Sequence, residues 1–209
     1  VLTSVVPGFV TMKPNTAIAF ILVAIALWIL RVPRPGVAAR RVADACAAAA
    51  TLIGMLTLLE HAFGWELHLD EMVLSLPASA DAVSPGRMSA ASAFNFVLFG
   101  LALLVIDRPV GRRLWTPLAI TVFAVGGVGM VGYFYNLIPL YRIPTLSAMA
   151  MHTAATFAVL SLGMLCARPE RGLVAVLTSA TAGGMAARRL LPVALVTPVL
   201  LGWIRLEGQ

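Results

Sequence analysis

Apolar and polar positions along the chain fall into blocks and do not alternate. Six apolar runs free of charge stand out: Pro14 to Leu30, Ala45 to Leu59, Met88 to Ile106, Leu114 to Tyr135, Met149 to Ala167 and Leu190 to Ile204. Such runs predict transmembrane helices, because a bilayer core takes about 20 residues of helix to cross. The second and sixth runs are short by that measure. Asp44, Glu60, Arg189 and Arg205 at their edges are therefore expected at headgroup depth, where long polar side chains snorkel. The predicted fold class is an all-α integral membrane protein of six transmembrane helices, covering 14–31, 42–62, 88–106, 114–136, 148–167 and 189–205. Residues 63–87 and 168–188 form the long loops on opposite sides.

Composition points the same way: 60% of residues are apolar and 11% charged, where soluble domains carry roughly half and a quarter. The net charge of +6 does not indicate a nucleic-acid partner, because 14 of the 15 basic residues are arginines gathered between the apolar runs. They read as topology. Arg31, Arg34, Arg40 and Arg41 follow the first run, Arg108, Arg112 and Arg113 the third, and Arg168, Arg171, Arg188 and Arg189 the fifth. By the positive-inside rule these connections face the cytoplasm. The other connections hold Lys13, Arg87 and Arg142 with Glu60, Glu66, Asp70, Glu71 and Asp81, which suits an outer face. The expected location is the bacterial inner membrane, with both ends of the chain outside. A longer parent is then expected, an eight-helix bundle with one helix before Val1 and one after Gln209. Cys46 and Cys166 each lie inside an apolar run and are expected to be small buried thiols.

Runs one, three and five open on one pattern, Met-x-x-x-[Ser/Thr]-Ala-x-x-Phe: Met12 to Phe20, Met88 to Phe96 and Met149 to Phe157. The repetition predicts stacked helical hairpins of one type. The hydroxyls of Thr16, Ser92 and Thr153 serve helix starts, and the alanine after each allows close approach of helices. Asn15, Ala91 and His152 precede the hydroxyls at equal depth, so two polar side chains are placed to converge on a ligand. Small residues at Ala45, Ala47 to Ala50, Gly126, Gly127, Gly129 and Gly132 argue for tight packing of the returning helices. Gly172 to Leu177 reads as an interfacial segment, and Thr178 to Gly184 as a flexible turn.

Several landmarks together resemble the MASE-like multi-span membrane region found ahead of PAS, histidine kinase or GGDEF modules in bacterial signalling proteins. They are Pro7 to Ala17, Phe63-Gly64-Trp65 with Asp70-Glu71, Ser84 to Ser89, Met151 to Ala154 and Ala167 to Gly172. The resemblance covers nearly the whole chain. It implies a sensory input domain, and it supplies no ligand. The second copy of the repeat departs from the family pattern, with Ala90-Ala91 where Pro-Asn is usual.

Candidate ligand-sensing residues are Asn15, Glu60, His61, Asn95, Tyr135, Asn136 and His152, with Tyr133, Tyr141 and Arg142 in an aromatic interface belt nearby. No cofactor is expected. The minor alternatives are a metal on His61, His68 and Glu66, or haem between His61 and His152. No nucleophile with its base, carboxylate pair or phosphate-cradling loop is present, so the segment is not expected to be an enzyme. The rival to a sensor is a structural or accessory subunit of a larger membrane complex, and a weaker one is a haem or metal redox subunit.

Overall fold

A computed structural model of the chain describes residues 12–64, 88–134 and 149–207. The described residues are helical, with no strand: α1 Pro14–Leu30, α2 Val37–Phe63, α3 Ala90–Val105, a short 3-10 turn Val110–Arg113, α4 Trp115–Phe134, α5 Met151–Cys166, α6 Gly172–Thr178 and α7 Ala182–Glu207. Local chemistry sets several ends. Pro14 occupies the first turn of α1, where its missing amide costs nothing. Ser89 caps α3 by accepting from the Ser92 amide at 3.2 Å. Gly64 ends α2 in the left-handed region at φ 65°, a conformation that favours glycine.

The charge-free runs locate the helices, and two boundaries differ from expectation. Helix α2 begins at Val37, five residues before the expected 42, because the charges near its start are paired and do not break the helix. The expected flexible turn at 178–184 is confined to 179–181, and α7 begins at Ala182, seven residues before the expected 189, with Gly183 and Gly184 in its first turn and Arg188 and Arg189 inside it; α6 takes up 172–178 of the expected loop. Of the two thiols, Cys46 is half-buried and Cys166 is exposed, so the buried reading fails for Cys166, which sits on an outer face of α5.

Among the described residues two helices, α2 and α4, are long and apolar enough to cross a membrane. Helices α1, α3 and α5 are apolar but have 17, 16 and 16 residues. At about 1.5 Å per residue they reach roughly 25 Å, short of a ~30 Å hydrocarbon core.

The three helices that open on the repeated motif form the centre. Phe20, Phe96 and Phe157 meet there with ring centroids 4.7–4.8 Å apart and interplanar angles of 57–65°. Edge-on and tilted contacts of this kind suit aromatic quadrupoles. Helix α2 packs between α1 and α3, and α4 between α3 and α5. Glycines permit these crossings. A Cβ on Gly54 would lie 2.6 Å from the Ala93 carbonyl oxygen, and one on Gly100 would lie 2.8 Å from that of Ala47. Helix α7 packs chiefly on α6, and Leu190, Val193, Val196, Leu200, Trp203 and Ile204 along it are exposed.

Candidate functional site

The bundle has a motif end, where α1, α3 and α5 begin, and an arginine end, where they stop. At the motif end the phenylalanine triad is the floor of a polar layer. Thr16, Ser92 and Thr153 sit one helical turn before the three rings, and all three are buried. The Ser89 hydroxyl donates to Ser92 Oγ at 2.8 Å. Tyr133 on α4 donates its hydroxyl to the Met149 carbonyl at 2.8 Å, tying α4 to the start of the third motif.

The predicted site residues distribute unevenly around this layer. Asn15 is buried in the first turn of α1, Glu60 is buried near the end of α2, and His152 is half-buried in the first turn of α5. Asn15 and His152 hold the same motif position on two helices that touch, so they lie at one depth. His61 is on the exposed side of α2, with Nδ1 2.8 Å from the Thr57 carbonyl oxygen of its own helix. Tyr135, Asn136, His68 and Glu66 lie outside the described residues, as do Tyr141 and Arg142. Among the described residues, no three His, Cys, Asp or Glu side chains are grouped to hold a metal ion.

Asn95, Trp115 and Thr116 hold buried polar atoms without hydrogen-bond partners among the described residues, and Asn95 is the one of the three that lies within the repeated motif. It is 0% exposed, one residue before the Phe96 ring, and neither its Oδ1 nor its Nδ2 has a hydrogen-bond partner among the described residues. A buried amide without partners costs about 1–3 kcal/mol. The matching positions avoid that cost: Ala19 is apolar, and Thr156 donates to the His152 carbonyl of its own helix at 2.7 Å.

At the arginine end α2, α3 and α5 are clamped by charge. Arg168, just past α5 and 1% exposed, donates from Nε to Asp107 Oδ1 at 2.9 Å and from Nη2 to Asp107 Oδ2 at 2.8 Å. Its Nη1 donates to the Ala167 carbonyl at 2.7 Å. Asp107 Oδ2 also accepts from Arg40 Nη1 at 2.8 Å, Arg40 Nε donates to Asp44 Oδ1 at 3.1 Å, and Arg108 lies 3.6 Å from Asp44. The forked geometry is the strong form of an arginine–carboxylate pair. Three guanidinium groups thus share two carboxylates, along an open cleft walled by Pro33, Arg34 and Pro35. Arg31 is set apart, stacked 3.5 Å over the Trp28 ring.

Reading the arginines as topology alone misses this clamp. The missed signal is a spacing: Arg31, Asp107 and Arg168 each stand eleven residues after the motif phenylalanine, and only the middle one is acidic. Comparison with models of known families, with curated proteins and with solved structures gives no match.

Proposed function

We propose that the chain is the membrane-embedded input domain of a bacterial signalling protein, coupling an outer-face or membrane-borne cue to a cytoplasmic output module of histidine kinase or GGDEF type. Six spans cross the inner membrane, with the motif end outside and the arginine end in the cytoplasm. The three shorter central helices cross with polar residues flanking them that reach the interface by snorkelling or local thinning of the bilayer. The observation that carries the reading is Asn95, a fully buried amide kept without partners where the three repeats converge. Buried polar groups inside a membrane bundle are costly and tend to mark function.

The mechanism follows from α3. Asn95 lies near its start and Asp107 just beyond its end, twelve residues or about 18 Å apart along a helix. A cue that hydrogen-bonds Asn95 favours one seating of α3 over another, and α3 carries that shift to Asp107. There the carboxylate has three guanidinium neighbours within reach of its own network, so a small shift redistributes pairings. A ligand moves such an equilibrium only by its difference in affinity for the two states.

The test pairs stability with output. Asn95→Leu should stabilise the purified protein while abolishing the response of the parent protein's phosphotransfer or cyclase activity to its stimulus. A variant that is stabilised and still responds fully would refute Asn95 as the sensing group. An accessory subunit of a membrane complex would account for the apolar faces but gives no reason to keep Asn95.

A further inference from the structure

The centre of the bundle has three peripheral slots, and the described helices fill two. In both, a glycine of the peripheral helix rests on the motif alanine and phenylalanine of the next central helix. A Cβ on Gly54 would lie 2.6 Å from the Ala93 oxygen and 3.2 Å from Phe96 Cβ, and one on Gly126 would lie 3.0 Å from the Ala154 oxygen and 3.3 Å from Phe157 Cβ. The likeness extends along the helices. Each glycine follows an arginine pair after twelve residues, Arg40-Arg41 in one case and Arg112-Arg113 in the other. In that register Ala43 matches Trp115, Ala47 matches Ala119 and Ala50 matches Val122, and all six are fully buried. Peripheral helices therefore carry a repeat of their own, Arg-Arg, twelve residues, Gly.

That repeat occurs a third time, on α7: Arg188-Arg189, twelve residues, Gly202. The arginine pair is even preceded by Ala186-Ala187, as Ala38-Ala39 precede it in α2. The third slot lies between α5 and α1, which touch where a Cβ on Gly163 would be 3.5 Å from Leu27 Cδ2. It continues the run of interfaces α1–α2–α3–α4–α5 around the phenylalanine triad. Apolar side chains stand exposed on α1, at Ile21, Ile25 and Trp28, and on α5, at Val159 and Leu162. We infer that this slot is a docking site for the chain's own α7, seated with Gly202 against Ala17 and Phe20 to close a ring of six helices. The position of α7 on α6 is then the open state of an arm.

Chain order favours the chain's own helix over a second copy. Helix α2 follows α1 and fills the slot between α1 and α3, and α4 follows α3 and fills the slot between α3 and α5. Helix α7 follows α5 and would advance the same way. Residues 167–181 join α5 to α7, against 31–36 and 106–114 in the two filled cases, so the connection is long enough for the arm to swing. This inference stands whether or not the sensory reading does.

Disulfide trapping tests it in membranes, on the full chain with Cys46→Ala and Cys166→Ala. Gly129 and Ala154 form a ready control, since a Cβ on Gly129 would lie 3.2 Å from Ala154 Cβ. The register maps them onto Arg205 and Ala17. Arg205→Cys with Ala17→Cys should cross-link within tenfold of the rate of Gly129→Cys with Ala154→Cys, giving a monomer-sized product whose linked peptides are found by mass spectrometry. Adding Gly202→Leu should slow the test pair at least tenfold and leave the control pair unchanged. A dimer-sized product would overturn the choice of the chain's own α7. No product while the control forms would overturn the slot, and insensitivity to Gly202→Leu would overturn the register.

Discussion

Asp107→Asn should destabilise the bundle by about 3 kcal/mol. The carboxylate accepts three charge-assisted bonds of 2.8–2.9 Å, two from Arg168 and one from Arg40. Asparagine keeps one acceptor and must turn its NH2 group toward at least one guanidinium donor, so at least one bond is lost together with the charge that compensates Arg168. Removing one partner of a buried pair costs about 3–5 kcal/mol, chiefly because the remaining charge is left uncompensated. The Arg168 side chain is 2% exposed, while Asp107 and Arg40 are each 22% exposed, which sets the value at the lower end. About 3 kcal/mol is roughly a hundredfold in the unfolding equilibrium. Denaturant unfolding of purified protein in one detergent or lipid, with a double-mutant cycle over Asp107→Asn and Arg168→Gln, measures it. The internal control is Arg171→Ala, whose pair with Glu170 is 3.9 Å long and 41% and 55% exposed. Such a pair contributes little or nothing. If Asp107→Asn falls within about 0.5 kcal/mol of the parent, or the cycle is additive, the clamp does not hold the arginine end together.

Three further outcomes follow from the packing. Asn95→Leu should raise stability by about 1–3 kcal/mol by removing an unpartnered buried amide, read in the same unfolding assay; a loss of stability would mean that the amide is satisfied. Gly54→Ala should cost about 1–3 kcal/mol, since its Cβ would meet a backbone oxygen at 2.6 Å and α2 would have to move. Gly127→Ala, with nothing within 4 Å of its Cβ, should be neutral or stabilise by up to about 1 kcal/mol through helix propensity. Phe20→Ala and Phe157→Ala should each destabilise by about 3 kcal/mol, and the double variant by less than the sum, because both open the same cavity.

Much of the helical architecture can be read from the sequence because apolar helices leave long charge-free runs. Helix starts are legible only where charge marks an edge, so α2 is misjudged by five residues: Arg40 and Asp44 are solvated by each other inside the helix. The motif phenylalanines are equivalent on sight, but equivalence does not imply convergence, and the triad needs three dimensions. The clamp is hidden for a related reason, since Asp107 and Arg168 are 61 residues apart and each looks like a loop charge alone. Asn95 is legible as a polar residue in an apolar run. Its lack of partners is not, because that depends on what the neighbouring helices present to it.

The three repeats build a nearly symmetric centre, and the two departures from symmetry with the clearest chemistry fall in the middle copy, on α3 and just past its end. At the position before the motif phenylalanine the copies carry Ala19, Asn95 and Thr156; eleven residues after it they carry Arg31, Asp107 and Arg168. A repeat needed only for packing would satisfy each position with apolar or self-satisfied side chains, as Ala19 and Thr156 do. The middle copy instead places an unsatisfied amide at one end of α3 and the lone acid of the three at the other. Residues that break a local rule at a stability cost are the ones to expect at functional positions. A helix with two such breaks, one amid the buried polar layer and one two residues past its end amid shared arginines, fits the coupling role proposed above. On the coupling proposed above, exchanging the middle copy's two residues for those of a neighbour, Asn95→Ala with Asp107→Arg, should abolish the stimulus response of the parent protein's phosphotransfer or cyclase activity, while Phe94→Ala with Leu101→Ala, at two exposed positions of α3, should leave the response in place.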